Sequence, residues 1–314
     1  MQPHGRAPRS ARCAPVSMAP IPSGDDTALR GRVLRRLSNR PTARGAAIVL
    51  AVIVAVALIG PFVAPQNPYD LTALNVMDNR LAPGEKGLTG FTFWLGSDAQ
   101  GRDLVSAILY GLRTSLFVGL AATGCALVVG VCVGLAAAQF GGRVDAILMR
   151  VVDFILGFPS ILVALVLLAS IGRGVDKVIL AIVVVQWANY ARLMRAAALV
   201  ERRKEYIEAA VNQGLPTGYI MRAHLLPNSI GSVLVVATVS IAGAITLEAT
   251  LSFLGVGVPV TEPSLGLLIA NGFEFMLSGE YWIALFPGLA LLALIMSINV
   301  VGERLRRSFN AHRN

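Results

Sequence analysis

The sequence predicts an all-α polytopic membrane protein with six transmembrane helices and both termini on the cytoplasmic side. The first observation behind this prediction is composition: 55% of the residues are apolar and 14% are charged, whereas ordinary globular domains carry about 25% charged residues. The second is a series of long apolar segments. The third is the alternating distribution of arginine and lysine between those segments. A chain this apolar needs lipid as its solvent.

Six segments are apolar and long enough for transmembrane helices, which need about 20 residues each. The segment at 175–194 has the weakest pattern, because Lys177 and Arg192 lie near its ends, from where both side chains can reach the membrane interfaces. The fifth segment carries a single charge, Glu248. The predicted spans are residues 46–64, 114–139, 154–171, 175–194, 230–254 and 281–301, within a membrane domain at 45–310.

Basic residues are concentrated in alternate segments between the spans, which sets the orientation of the chain. Residues 1–44 have a net charge of +7, and residues 192–229 and the tail after 302 each have a net charge of +3. The segments at 65–112 and 255–280 have net charges of −2 and −3. Both termini and the loop at 192–229 are therefore predicted to be cytoplasmic. Nucleic-acid binding would group basic and aromatic residues on one folded face, a pattern that the sequence lacks.

The N-terminal segment at 1–44 is predicted to be a largely disordered basic extension, because it is rich in Pro, Arg, Ser and Gly. Apolar residues at helical spacing in 29–37 leave two interpretations open. This stretch is either an amphipathic helix on the inner membrane surface or part of a solvated basic tail. No A-x-A site follows the apolar run at 46–60. A retained first span is therefore preferred over a cleaved signal peptide.

The polar loop at about 201–228 carries signals for a helix, a break and a second helix. The residues E-A-A at 208–210 favour helix, and Gly214 can take a positive φ and end it. Pro216 is suited to begin the next helix. Two short helices joined by a stiff bend form a surface projection that a partner can grip. The alternative is an ordinary polar loop between two spans.

This spacing resembles the EAA loop of binding-protein-dependent ABC importer permeases, whose pattern is E-A-A-x3-G-x9-I-x-L-P. His224 takes the place of the isoleucine. The resemblance implies that Glu208 offers a carboxylate to a basic group on an ATPase and that Pro227 fixes the return into the fifth span. It also implies that Ala209 and Ala210 keep one helix face shallow enough to enter a cleft. The residues that match the ATPase-coupling loop are Glu208, Ala209, Ala210, Gly214, Leu226 and Pro227.

The segment L-G-S-D-A-Q-G-R-D at 95–103 resembles L-G-T-D-x-x-G-R-D of one branch of these permeases. That branch is the C-type subunit of dipeptide, oligopeptide and nickel importers. With further matches at 153–160, 190–192 and 248–257, the resemblance covers about residues 46 to 307. It implies a six-span permease of the type I importer fold in the bacterial cytoplasmic membrane. The implied partners are a second permease subunit forming a heterodimer, two ATPase subunits and an extracytoplasmic substrate-binding protein.

Charged residues in or near the spans are candidates for function, because charges in a bilayer are costly. Asp153 follows Arg150 by three residues, and we predict a structural i,i+3 pair in preference to a transport role. Glu248 has two open interpretations, lining the transport pathway or hydrogen bonding a neighbouring helix. A second group also has two: its members pair with one another or meet an external partner. That group is Asp98, Arg102 and Asp103.

The sequence contains no pattern typical of an enzyme site, such as a phosphate-binding Walker A loop or a cluster of metal ligands. The chain is therefore predicted to lack an ATPase site, with ATP and magnesium bound by partner subunits. The same machinery could import nickel or glutathione, because the sequence does not fix the substrate. A secondary transporter would show broken-helix repeats and paired mid-membrane carboxylates, which are not evident. A membrane scaffold would not need the loop at 208–227.

Overall fold

The structure, a computed structural model, describes residues 41–68, 70, 74–88 and 90–310. The predicted amphipathic stretch at 29–37 and nearly all of the basic N-terminal extension lie outside the described residues. The described residues form helices and contain no β-strand. The helices are α1 (Pro41–Val63), α2 (Leu104–Phe140), α3 (Gly142–Leu156), α4 (Ser160–Ile171), α5 (Val175–Arg202), α6 (Glu205–Asn212), α7 (Thr217–Phe253), α8 (Leu265–Phe273) and α9 (Trp282–Asn310).

Five of these helices are long and apolar enough to cross a membrane: α1, α2, α5, α7 and α9. The predicted third span at 154–171 is wrong in its boundaries, because the chain bends by 88° between α3 and α4. Pro159 causes the break, since proline lacks an N–H and disfavours helical geometry at the residue before it. The 12 residues of α4 reach only about 18 Å, less than the roughly 30 Å of a hydrocarbon core.

The bent pair of α3 and α4 nevertheless carries the chain across the bundle, because α2 and α5 run parallel. A Cβ added at Gly130 would collide with Tyr190, and one added at Gly134 would collide with Met194. Residue numbers therefore increase in the same direction along α2 and α5. The chain between them has to return to the end of the bundle where α2 begins. Gly130 and Gly134 thus form a small-x-x-x-small contact of the kind that lets two helices approach closely. The described residues cross the bundle six times.

The other long helices run antiparallel to their neighbours. Tyr110 near the start of α2 donates to the carbonyl of Pro61 near the end of α1, at 3.2 Å. Ser115 of α2 contacts Glu248 of α7, and Gly302 of α9 meets Val239 of α7. The start of α1, the 203–216 segment and the end of α9 thus share one end of the bundle, here called the loop end. The opposite end, here called the far end, holds the described residues of 64–103, together with 172–174 and 254–281.

The core is centred on α2, whose inward face consists mostly of small residues. Small residues let helices approach closely when there is no water to drive apolar side chains together. The neighbouring α5 and α7 pack against this face with larger side chains, among them Ile182, Met194 and Ile245. The fully buried small residues of α2 include Ala107, Ser115, Ala122, Ala126, Ala137 and Ala138.

Candidate functional site

At the loop end, α6 terminates in a tight bend at Gly214. Its φ is 76°, so the predicted positive φ is confirmed. The N–H of Gly214 donates to the carbonyl of Val211 at 3.0 Å, and the N–H of Leu215 donates to that of Ala210 at 3.3 Å. This pair of hydrogen bonds is the Schellman arrangement, in which a left-handed glycine satisfies the last free carbonyls of a helix. The direction in which α6 projects is therefore fixed by backbone geometry.

The helix after the bend begins at Thr217, directly after Pro216, as the sequence predicts. The predicted second short helix is wrong, because this helix continues without a break to Phe253. A π-helical stretch, Ile220–Leu225, lies within it, and the N–H of Leu226 donates to Met221 five residues back. Proline lacks the N–H that a helix needs as a donor, and its ring crowds the preceding turn of a regular α-helix. The turn that directly precedes Pro227 is the wider π turn. Pro227 therefore lies inside one continuous helix and does not mark a return into a separate span.

The matched residues of the loop differ in exposure. Glu208, Ala209, Gly214 and Pro227 are exposed, whereas Leu226 is half-buried. Ala210 is only 6% exposed and packs with Ile207 against α5 and the π stretch. The prediction that Ala209 and Ala210 share a shallow outer face is wrong for Ala210, because α6 must bury one face to dock on the bundle.

A group of polar side chains behind α6, here called the Tyr206 clasp, ties three helices together. Its members are Glu201, Tyr206, His224 and Asn228. The Tyr206 hydroxyl donates to the Glu201 carboxylate at 2.5 Å and accepts from the Asn228 amide at 3.1 Å. The same amide donates to the carbonyl of His224 at 2.7 Å. The His224 ring lies edge-on to Tyr206 and Tyr219, with centroids 6.0 and 5.7 Å away.

Burial of the Tyr206 hydroxyl and its hydrogen bond to the Glu201 carboxylate raise its pKa to about 12. Both factors disfavour the negative tyrosinate. Our sequence reasoning missed this clasp. The one indication of it in the sequence was His224, which stands where the EAA pattern has isoleucine. In the structure, His224 lies between two tyrosine rings.

Asp153 forms an ion pair, but its partner is not the predicted Arg150. The Arg192 guanidinium of α5 donates to the Asp153 carboxylate at 2.6 Å. Two helical turns earlier on α3, Asp145 pairs with Arg195 of α5. The prediction of an i,i+3 pair was wrong because α3 lies against α5, which brings a basic side chain from another helix within reach. The pair joins α3 to α5 with both side chains exposed, 57% for Arg192 and 61% for Asp153. The preference for a structural role of Asp153 over a transport role stays a prediction.

At the far end, three charged residues predicted as possible external contacts are almost fully buried. Asp98, Arg102 and Asp103 are each 1% exposed. Arg102 donates to the Asp98 carboxylate at 2.7 Å and to the Gln100 amide oxygen at 2.8 Å, and it reaches the carbonyl of Val260 at 3.3 Å. An external contact is therefore wrong, because no partner can reach these side chains. The alternative, pairing within the segment, is correct for Asp98 and Arg102.

Asp103 caps the first turn of α2. Its carboxylate accepts from the backbone N–H of Ser106 at 2.8 Å and from the Ser106 hydroxyl at 2.7 Å. A capping carboxylate satisfies a free donor at the helix N-terminus, and its charge is favourable there. The glycine-rich motif at 95–103 therefore fixes where the second span begins.

Glu248 lies near the far-end terminus of α7 and is fully buried. Its carboxylate accepts from Ser115 of α2 at 2.9 Å and from Ser252 of its own helix at 2.8 Å. The hydrogen bond to a neighbouring helix, one of the two open interpretations, is confirmed. The other interpretation, that Glu248 lines the transport pathway, stays a prediction.

Two families match the sequence. Residues 130–312 match the family described as the binding-protein-dependent transport system inner membrane component. Residues 29–83 match the N-terminal transmembrane domain of oligopeptide transport permease C. The first match includes the 203–216 segment and α9, and the second includes α1.

Several curated proteins are similar over most of their length. The dipeptide transport system permease protein DppC of Bacillus subtilis is 33% identical over 272 residues, covering 87% of this chain and 82% of that protein. The di/tripeptide transport system permease protein DppC of Pseudomonas aeruginosa is 35% identical, covering 84% and 86%. The oligopeptide transport system permease protein OppC of Bacillus subtilis is 33% identical, covering 87% and 86%.

The fold is that of a type I ABC importer permease. A solved structure of the MetNI methionine ABC transporter in inward-facing conformations matches with a TM-score of 0.52 and 20% sequence identity. The match covers 64% of this chain and 95% of the other. The protein is thus an integral, multi-pass membrane protein. With the family match over 130–312 and the relatives above, the chain belongs to the inner membrane components of binding-protein-dependent transport systems.

Proposed function

We propose that this chain is the C-type permease subunit of an ABC importer that carries peptides inward across the bacterial cytoplasmic membrane. The relatives named for dipeptide, di/tripeptide and oligopeptide transport support a peptide substrate. Its partners are a second permease subunit, two ATPase subunits and an extracytoplasmic binding protein. ATP and magnesium bind to the ATPase subunits, and this chain supplies no ATPase site.

One observation carries the proposed mechanism: the exposed α6 is joined by a rigid bend to a helix that runs the length of the bundle. The 37 residues of α7 span about 55 Å at 1.5 Å per residue. A movement of α6, gripped by an ATPase, is passed through Gly214 and the packing of Ile207 and Ala210 to α7. The far end, where α7 terminates, then moves with it.

The charge distribution supports placing the loop end in the cytoplasm. The 192–229 segment and the tail after 302 both have a net charge of +3, as expected for cytoplasmic segments. The start of α1 and the end of α9 lie at this same end, which supports cytoplasmic termini. Glu208 is exposed on α6, and its carboxylate has no hydrogen-bond or ion-pair partner among the described residues. It is therefore free to meet a basic group on the ATPase.

The experiment that tests this function compares two charge reversals on one helix, Glu208→Lys and Glu205→Lys. Both residues are exposed on α6, and only Glu208 belongs to the matched motif. A charge-assisted contact shielded from water contributes roughly 1.5–3 kcal/mol. We expect Glu208→Lys to weaken ATPase binding about tenfold or more and to abolish stimulation of ATP hydrolysis by loaded binding protein.

The measurements are co-purification of the ATPase subunits through a tag on this chain and peptide uptake by the reconstituted complex. Glu205→Lys should leave both close to wild type. Equal losses from the two substitutions would show that the loop is only generically acidic, and the assigned role of Glu208 would be withdrawn.

A further inference from the structure

A cavity of about 450 Å³ lies at the far end, between the end of α7, the loop that follows it and α8. Its volume is within the range of roughly 300–1,000 Å³ that is usual for small-molecule sites. Phe253, Leu254, Val260 and Phe275 supply apolar surface. Two oppositely charged side chains, Arg173 and Glu274, line the same cavity.

Arg173 and Glu274 form no ion pair or hydrogen bond through their side chains within the part of the chain that the structure describes. Two pairs of opposite charge at the far end are joined, Arg102 with Asp98 at 2.7 Å and Arg80 with Glu280 at 3.5 Å. Lys86 and Glu262 also form no side-chain ion pair or hydrogen bond among the described residues. Arg173 and Glu274 differ from these two residues because they line one cavity together with opposite charges.

The presence of a glutamate at position 274 is not explained by a contribution to the stability of α8. It is the C-terminal capping residue of α8, and a negative charge at that end is disfavoured by the helix dipole. A second polar group lacks a partner here, because the side-chain nitrogen of Asn271 is buried without a hydrogen-bond acceptor among the described residues. Asn271 also lines the cavity. A cation, an anion and an unsatisfied amide donor therefore surround one cavity with a mixed polar and apolar lining.

We propose that this cavity binds a short peptide through both of its charged ends, as a transfer site between the binding protein and the transport pathway. This inference rests on the proposed function of peptide import. Arg173 pairs with the α-carboxylate, Glu274 pairs with the α-ammonium group, and the Asn271 amide donates to a peptide carbonyl. The charged ends of an extended di- or tripeptide are about 7–10 Å apart.

The position of the cavity connects its occupancy to the loop end. Ser252 and Phe253, which line the cavity, belong to the last turn of α7. The same helix receives the motion of α6 at its other end. A peptide in the cavity therefore contacts the element that the ATPase would move.

The test uses the complete transporter in proteoliposomes, with its binding protein and dialanine as the probe. Arg173 and Glu274 are both exposed in this chain. Arg173→Gln and Glu274→Gln should each reduce dialanine uptake about two- to fivefold, the range expected for exposed ion pairs. ATP hydrolysis stimulated by loaded binding protein should persist. Lys177→Gln and Glu262→Gln are the matched controls, because each removes one charge of the same sign without lining the cavity. Lys177 lies in the first turn of α5, next to the far end, and Glu262 lies in the far end itself. Both controls should import dialanine at the wild-type rate.

Charge reversal distinguishes a loss of peptide binding from general damage to the folded protein. Arg173→Glu and Glu274→Arg should each reduce uptake further than neutralisation does, because each places two like charges around the peptide. The combined double variant restores one charge of each sign, and we expect it to recover uptake above either single variant by accepting the peptide in the opposite direction. Purification yield of the complex should match wild type throughout.

Normal uptake by both glutamine variants, or a double reversal no better than the single ones, would overturn the cavity assignment and leave the peptide importer intact. A wild-type complex that imports neither dialanine nor a longer peptide would overturn the proposed function and this inference with it.

Discussion

The loop end and the far end both carry a short motif of charged residues and glycines between two long helices. The charged side chains of the two motifs differ in exposure. Asp98, Arg102 and Asp103 at the far end are each 1% exposed and bind one another or the start of α2. Glu208 at the loop end is exposed and has no side-chain partner among the described residues. Similar residue types therefore hold a structure together at one end and remain accessible to a partner at the other.

The difference in exposure follows from the surface that each segment buries against the helices. The far-end segment lies between α1 and α2 and folds over helix ends, so its charges are removed from water and must be paired. The loop-end segment buries only the apolar face of α6, through Ile207 and Ala210. Substitutions in the buried far-end motif at 98–103 should therefore affect folding, whereas substitutions in the loop-end motif should affect transport by a folded protein.

The largest effect is expected for Arg102→Met. Removing this side chain leaves the buried Asp98 carboxylate without its ion pair, a change that typically costs about 3–5 kcal/mol. We expect a strong loss of folded protein, measured as the yield of monodisperse protein in detergent and its melting temperature. Arg80→Met is the control, because Arg80 is 42% exposed beside Glu280 and such pairs contribute about 0–1 kcal/mol.

A double substitution sharpens this prediction. In Asp98→Asn with Arg102→Met, the amide oxygen can still accept from the backbone N–H groups of Gln100 and Arg102, which now bond the carboxylate at 2.9 Å each. The uncompensated charge is gone, so the double variant should be more stable than Arg102→Met alone. Equal instability of the two variants would argue against a buried ion pair.

An intermediate effect is expected for Gly214→Val, and only on transport. A β-branched residue at a φ of 76° costs on the order of 1–3 kcal/mol, while an added Cβ meets no atom within 4 Å. The yield of folded protein should stay near wild type, and peptide uptake should fall sharply because α6 projects at a different angle. Gly218→Val is the matched control, since that site is equally open and has no positive φ. Equal uptake by the two valine variants would show that the bend is not required.

The smallest effect is expected for Tyr206→Phe, which removes the hydroxyl that joins Glu201 to Asn228. One such hydrogen bond contributes about 1 kcal/mol. The pKa of Tyr206 is raised from 10.0 to about 12, so the folded state retains this proton longer than the unfolded state. The contribution is therefore fully present below pH 10 and is lost as the pH rises from 10 towards 12.

The measurement is the difference in melting temperature between wild type and Tyr206→Phe from pH 8 to 12. A small difference should be constant up to about pH 10 and should then shrink. A difference that does not change over this range would mean that the Tyr206 proton is not part of the clasp.

The features predicted correctly from the sequence depend on residues close together in the chain. The positive φ of Gly214 follows from its place after E-A-A, and the helix start after Pro216 is equally local. The errors concern contacts between distant segments. Asp153 pairs with Arg192 because α3 packs on α5, and Ala210 faces inward because α6 docks on α5. The roles of Glu208 and the other motif residues in coupling remain predictions.

The π-helical stretch at 220–225 has a consequence for how the two ends are oriented about the axis of α7. An α-helix rotates by about 100° per residue, so one additional residue in a regular helix would turn everything beyond it to another side. A π turn takes up one residue more per revolution, as the hydrogen bond from Leu226 to Met221 records. The π stretch therefore sets the direction of α6 relative to Glu248 about the axis of α7, because a regular α-helix of the same number of residues would place the two at a different angle.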